Sequence, residues 1–129
     1  MSAKSMLSLL SVFAVVLTAA TARAEGDAEA GGKVFRKCKA CHVVDSDKNR
    51  VGPSLMGVIG RAAGSVEGYK YSKAMLAFGE GGAMWDEATL DTYLENPKGL
   101  VKGTKMAFPG LKKPEDRADV VAYLKQFSQ

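Results

Sequence analysis

Only one cluster of residues in this chain has both the types and the spacing for chemistry: Cys38-Lys39-Ala40-Cys41-His42. These are the only two cysteines and the only histidine of the 129 residues. C-x-x-C-H is the attachment signature of c-type haem. Two thiols one helical turn apart can each add to a vinyl group on one edge of a porphyrin, and the imidazole that follows then lies under the ring, where a nitrogen can bind iron. A thioredoxin-like redox pair would need a βαβ context, which the sequence lacks. A structural zinc site wants four ligands, and this set is one short unless a carboxylate joins it. A plain disulfide would leave His42 without a role. Haem attachment is the reading that uses all three residues.

A haem iron takes a second axial ligand or leaves that position open for chemistry. No second histidine exists, so methionine is the remaining soft donor. Met1 and Met6 fall in an apparent leader, which leaves Met56, Met75, Met84 and Met106. Any one methionine is most often a core gap-filler. Met106 differs in its setting, Gly103-Thr104-Lys105-Met106-Ala107-Phe108-Pro109-Gly110, a Gly/Pro-bounded loop from which a sulfur could project across a ring.

The elements that must position these residues follow from the apolar period. Residues 1–24 read as a secretory signal peptide: Lys4 is a positive start, residues 6–20 are almost wholly apolar, and Ala22-Arg23-Ala24 is a small-x-small cleavage pattern. The apolar run is shorter than the ~20 residues of a spanning helix. Residues 25–129 then form one domain, too small for a large core of its own. Gly31, Val34, Phe35 and Cys38 predict a helix over about 27–39. Leu90, Tyr93 and Leu94 predict a second, capped by Asp86 and ended by Pro97 at Asn96. Val120, Tyr123, Leu124 and Phe127 predict a third that begins near Pro114, with Glu115 and Asp116 in its first turn. A short helix is expected over Ser72 to Phe78, stopped by the glycines at 79, 81 and 82. The loops between carry apolar residues (Leu55, Met56, Val58, Ile59; Met106, Phe108, Leu111) and are expected to wrap something. The class is all-α.

The formal net charge of +4 includes Lys4 and Arg23; without the leader it is +2. No block of like charges marks a nucleic-acid footprint. Lys37, Lys39, Lys98, Lys102, Lys105, Lys112 and Lys113 fall in the segments expected to border the haem edge, where a basic rim would speed partner association. Two other readings of the site are a haem enzyme or gas sensor, if the iron stays open, and a thiol oxidoreductase using Cys38 and Cys41.

Five ordered blocks carry a family resemblance: Gly-Lys-Val-Phe-Arg-Lys-Cys-Lys-Ala-Cys-His (32–42), Gly-Pro-Ser-Leu-Met-Gly-Val-Ile-Gly-Arg (52–61), Tyr-Leu-Glu-Asn-Pro-Lys (93–98), Gly-Thr-Lys-Met-Ala-Phe-Pro-Gly (103–110) and Val-Val-Ala-Tyr-Leu-Lys (120–125). Over nearly the whole of residues 25–129 the chain resembles a class I cytochrome c of the bacterial cytochrome c2 type, close to mitochondrial cytochrome c. The resemblance implies the cytochrome c fold, with three main helices, a short one and long loops around one haem c held by thioethers from Cys38 and Cys41. His42 and Met106 would be the axial ligands. The Pro53 carbonyl would accept from the His42 ring; Tyr93 and Thr104 would bond around Met106 and a propionate; Arg61, Tyr71 and Trp85 would hold the propionates. Gly31 and Phe35 would pack the first helix on Tyr123. The implied function is electron transfer, not enzymatic turnover, by a monomeric periplasmic carrier between membrane cytochrome complexes, terminal oxidases or reductases, or a photosynthetic reaction centre. Between Tyr71 and Trp85 the chain is a few residues longer than the mitochondrial pattern, and no site residue is assigned from Met75 to Ala83.

Overall fold

The computed structural model describes residues 25–128; the expected signal segment lies outside them. Five helices follow in chain order: α1 (Ala28–Phe35), α2 (Lys73–Glu80), α3 (Glu87–Glu95), α4 (Pro97–Leu100) and α5 (Pro114–Lys125). The only β pairing among the described residues is an isolated antiparallel bridge, Ala62 to Met84. No described helix is long and apolar enough to cross a membrane.

Four of the five helices start at a side-chain cap. The Asp27 carboxylate accepts from the backbone N–H of Glu29 (2.8 Å) and Ala30 (3.1 Å), and so satisfies two donors that α1 leaves open. Ser72 caps α2 through Met75 N (3.0 Å), and Asp86 caps α3 through Thr89 N (2.7 Å). α5 has Pro114 in its first turn, where a missing N–H costs nothing.

Two boundaries and one extra helix differ from the sequence reading. α1 stops at Phe35 rather than near 39. Beyond it, tighter bonds carry the chain: Lys37 N to Val34 O (3.1 Å), Cys38 N to Phe35 O (2.8 Å) and Cys41 N to Cys38 O (3.1 Å). α2 runs through Gly79 to Glu80, so the first of the three glycines does not end it. α4 was not expected. Asn96 closes α3 and then caps α4, its side chain accepting from Gly99 N (3.1 Å), because Pro97 breaks the α3 ladder but suits a helix start.

α1 and α5 cross in direct contact. A Cβ at Gly31 would overlap the Asp119 carbonyl and come within 2.8 Å of Tyr123 Cβ, so only glycine permits this approach. Phe35 and Tyr123 pack with ring centroids 5.2 Å apart. Asp27 N donates to Asp119 Oδ1 (2.7 Å) at the same crossing. The long loops do wrap inward: Val58, Val101 and Leu111 are buried, while Leu55, Ile59, Met106 and Phe108 pack on the core. Met56 is the exception, 42% exposed.

Arg117 is buried on the inner face of α5. Its Nε donates to Asp91 Oδ1 on α3 (2.8 Å), and its Nη1 to the carbonyls of Leu111 (2.9 Å) and Lys112 (3.2 Å). One guanidinium thus joins two helices to the end of the Met106 loop. An ion pair between Lys125 and Glu87 adds a surface link between α5 and α3.

Two stability predictions follow from these contacts. Gly31→Ala should cost about 1–3 kcal/mol through overpacking at the crossing, read by denaturant unfolding; an unchanged midpoint would mean that the helices part freely. Arg117→Met keeps the stem but removes every donor, and should cost about 3–5 kcal/mol, as breaking a buried charged pair does. A loss below about 1 kcal/mol would show that the loop is anchored elsewhere.

Candidate functional site

A cavity of about 530 Å³ opens at the centre of the fold. All ten residues singled out from the sequence line it: Cys38, Cys41, His42, Pro53, Arg61, Tyr71, Trp85, Tyr93, Thr104 and Met106. They come from five separate stretches of chain. Core residues of the helices, among them Phe35, Leu90, Val120 and Leu124, form its floor.

The post-α1 turns bring both cysteines to one side of the cavity, half-buried and without a disulfide between them. Burial pushes the Cys38 thiol up to about 11, against a smaller opposing pull from Lys37. His42 follows directly, its N–H bonded to the Cys38 carbonyl (3.0 Å). Its Nδ1 lies 2.7 Å from the Pro53 carbonyl oxygen. A carbonyl only accepts, so Nδ1 must carry the proton and Nε2 keeps its lone pair. Burial lowers the imidazole's pKa below its usual value, which favours the neutral form that a metal requires. Gly52 lies against the ring: a Cβ there would sit 2.7 Å from Nδ1 and 2.8 Å from Nε2. Position 52 must lack a side chain for the imidazole to occupy its place.

On the Met106 segment, the Thr104 hydroxyl accepts from Met106 N (3.3 Å) and bonds the Tyr93 hydroxyl (3.0 Å). Tyr93 and Thr104 therefore meet each other, and through Thr104 they hold the Met106 backbone. Burial raises the Tyr93 pKa and keeps its proton in place. Trp85 is wedged between Tyr93 (4.9 Å between centroids) and Phe78 (5.8 Å). Arg61 donates from Nη1 to the Met56 carbonyl (3.1 Å), while the Tyr71 hydroxyl accepts from Val66 N (3.0 Å).

Arg61 Nε is buried and has no hydrogen-bond partner within the described protein. Buried donors are almost always satisfied, so this one calls for an acceptor from outside the chain. The cavity thus offers a broad apolar wall, two thiols, an imidazole lone pair, a thioether and an orphaned cationic donor. That set fits a flat apolar group carrying a metal at its centre and anionic arms at its rim, as a haem does. Met56 and Met84 are 42% and 44% exposed and do not line the cavity.

Three contributors were not singled out from the sequence. Met75, in the stretch given no site role, is buried and lines the cavity. Arg117 was readable in principle: it falls on the stripe 117, 120, 121, 124, the buried face of α5, where a charge must be paired. Ser54, only 2% exposed, sits beside Pro53, and no periodic pattern flags it.

Comparison with known proteins agrees with this geometry. Residues 28–128 match the family model "Cytochrome c". Cytochrome c-554 of Methylosinus trichosporium is 50% identical over 98% of this chain and 95% of its own. Cytochrome c2 of Rhodomicrobium vannielii is 53% identical, with 88% and 89% covered. Among solved structures, cytochrome c2 from Rhodospirillum centenum superposes with a TM-score of 0.77 at 43% identity, covering 81% of this chain and all of that one. The thiol pair, the helical shell and these likenesses lead to one conclusion: the chain belongs to the cytochrome c family, electron-transfer proteins that hold haem c through two thioethers.

Proposed function

We propose that this cytochrome is a periplasmic carrier that moves single electrons between respiratory or photosynthetic membrane complexes, with His42 and Met106 as the axial ligands of its haem. The observation that supports the reading is that two donors from distant segments, the His42 imidazole and the Met106 thioether, line one apolar cavity. His42 presents a neutral ring with Nε2 free, and Met106 stands in a loop whose backbone is bonded to Thr104. The haem supplies the one-electron couple, and His/Met ligation is the arrangement that raises its potential.

The chain's own residues do the rest. Cys38 and Cys41 provide the thioether sulfurs. The Pro53 carbonyl holds the His42 tautomer and ring orientation. Arg61 offers its orphaned Nε–H, with Tyr71 and Trp85 beside it, to the propionates. Tyr93 and Thr104 set the approach of Met106. Held by both His42 and Met106, the iron would have no position left for substrate, and the apolar wall would exclude water, so little would reorganise when its charge changes.

All seven lysines of the expected rim are exposed, and Lys37 and Lys105 reach the cavity mouth. A basic border of this kind suits rapid, salt-sensitive docking to acidic partners. The leader at residues 1–24 accounts for export, after which residues 25–129 act alone as a monomer.

Met75 is the internal control for the ligand assignment, since it also lines the cavity. Met106→Ala should abolish the methionine–ferric charge-transfer band, lower the reduction potential and let the ferrous protein bind carbon monoxide. Met75→Leu should preserve the band and the resistance to carbon monoxide. An unchanged spectrum in Met106→Ala, or loss of the band in Met75→Leu alone, would contradict the assignment.

A further inference from the structure

We propose that Asn49 is a positioning residue for the axial histidine, acting on it through the single peptide group between Pro53 and Ser54. The inference rests on His42 being the proximal ligand. The Pro53 carbonyl that accepts from His42 Nδ1 (2.7 Å) and the N–H of Ser54 belong to the same amide. That amide is rigid and planar, and it is trans, as is every peptide in the described chain. Its C=O and N–H therefore point in opposite directions, and fixing one fixes the other. Asn49 Oδ1 accepts from Ser54 N at 3.0 Å.

The other end of the same carboxamide is also engaged. Asn49 Nδ2 donates to the Glu67 carbonyl (3.0 Å), which anchors Asn49 to the segment that carries Tyr69 and Tyr71. The two partners leave no ambiguity about the amide's orientation, because one is an N–H and the other a carbonyl. Tyr69 reinforces the same junction by donating its hydroxyl to the Val51 carbonyl (2.8 Å).

Ser54 prevents the peptide from tilting. Its hydroxyl donates to the Ser46 carbonyl and accepts from Met56 N (3.1 Å). Gly52 N is tied to the Cys41 carbonyl (2.8 Å) and Leu55 N to the Val43 carbonyl (2.8 Å), so the loop is held on both sides of Pro53. Within this frame Asn49 alone bonds the far end of the His42-contacting amide. Hydrogen bonds in series also polarise one another, so an acceptor on Ser54 N–H makes the Pro53 oxygen a better acceptor for the imidazole. Asn49 thus acts on both the direction and the strength of the bond that orients the ligand.

The test uses the matured ferrous holoprotein labelled with ¹⁵N-histidine, and reads the solvent exchange and proton shift of His42 Nδ1–H. Asn49→Ala removes both bonds, and should speed that exchange about tenfold or more and move the proton upfield. Asn49→Asp keeps an acceptor for Ser54 N–H but sets a carboxylate oxygen against the Glu67 carbonyl in place of the donor, so its exchange should rise clearly less than in Asn49→Ala. If Asn49→Ala does not mature, Asn49→Ser, one atom too short to reach Ser54 N, takes its place with the same expected result. The amide of buried Val121 serves as the reference for global opening. An Nδ1–H unmoved by Asn49→Ala would overturn the proposal. So would equal acceleration in Asn49→Asp, or a rise at Val121 that matches the rise at His42. A wild-type His42 ring without the haem's ring-current shift would instead overturn the axial assignment on which the proposal stands.

Discussion

Many of the buried apolar residues of the described chain face a common space as well as one another. Phe35, Val58, Leu90, Val120 and Leu124 belong to the buried core, and all of them also line the central cavity. A domain of about a hundred residues has little apolar surface to spare, and here much of it faces a volume of about 530 Å³. A haem, by filling that volume, completes the core. The attachment residues then do more than retain a cofactor: they fasten the middle of the hydrophobic core to the polypeptide.

The shell is held from outside by polar bonds placed where the loops need them. Arg117 fastens the end of the Met106 loop to α3 and α5, and Lys112 adds a bond from its ammonium to the Glu95 carbonyl (2.9 Å). On the histidine side, Asn49 and Ser54 lock the turn that presents the Pro53 carbonyl. The segments that carry Met106 and His42 are therefore held in different ways, one through a buried cation and the other through neutral amide bonds. If His42 and Met106 hold the iron as proposed, such fixed segments are what a carrier needs for an electron to enter and leave with little motion.

The features that the residues announced by themselves were local ones; the Pro53–His42 bond and the packing of Gly31 and Phe35 on Tyr123 came through the family resemblance. Cap residues such as Asp86 and Ser72, the proline at the head of α5 and the apolar spacing of 31, 34, 35 and 38 act over a turn or two, and so announce themselves in order along the chain. Cys38, Cys41 and His42 were legible for the same reason. The end of α1 was not, because continuation of the apolar period to Cys38 is equally compatible with tighter turns. α4 was hidden because Asn96 serves two helices at once. Asn49, bonded to a carbonyl eighteen positions away, carries no local signature. Arg117 falls on the buried stripe of α5, but its three acceptors come from segments that no local pattern links to it.

The whole picture depends on a porphyrin joined covalently to the sulfurs of Cys38 and Cys41. Pyridine haemochrome spectroscopy of the exported, matured protein, with thiol titration of the same sample, tests this directly. Acid extraction should leave the haem on the polypeptide, the haemochrome should show the bands of a porphyrin whose vinyl groups are both saturated, and neither thiol should react. A colourless protein with two titratable thiols, or a haem that extracts freely, would contradict it.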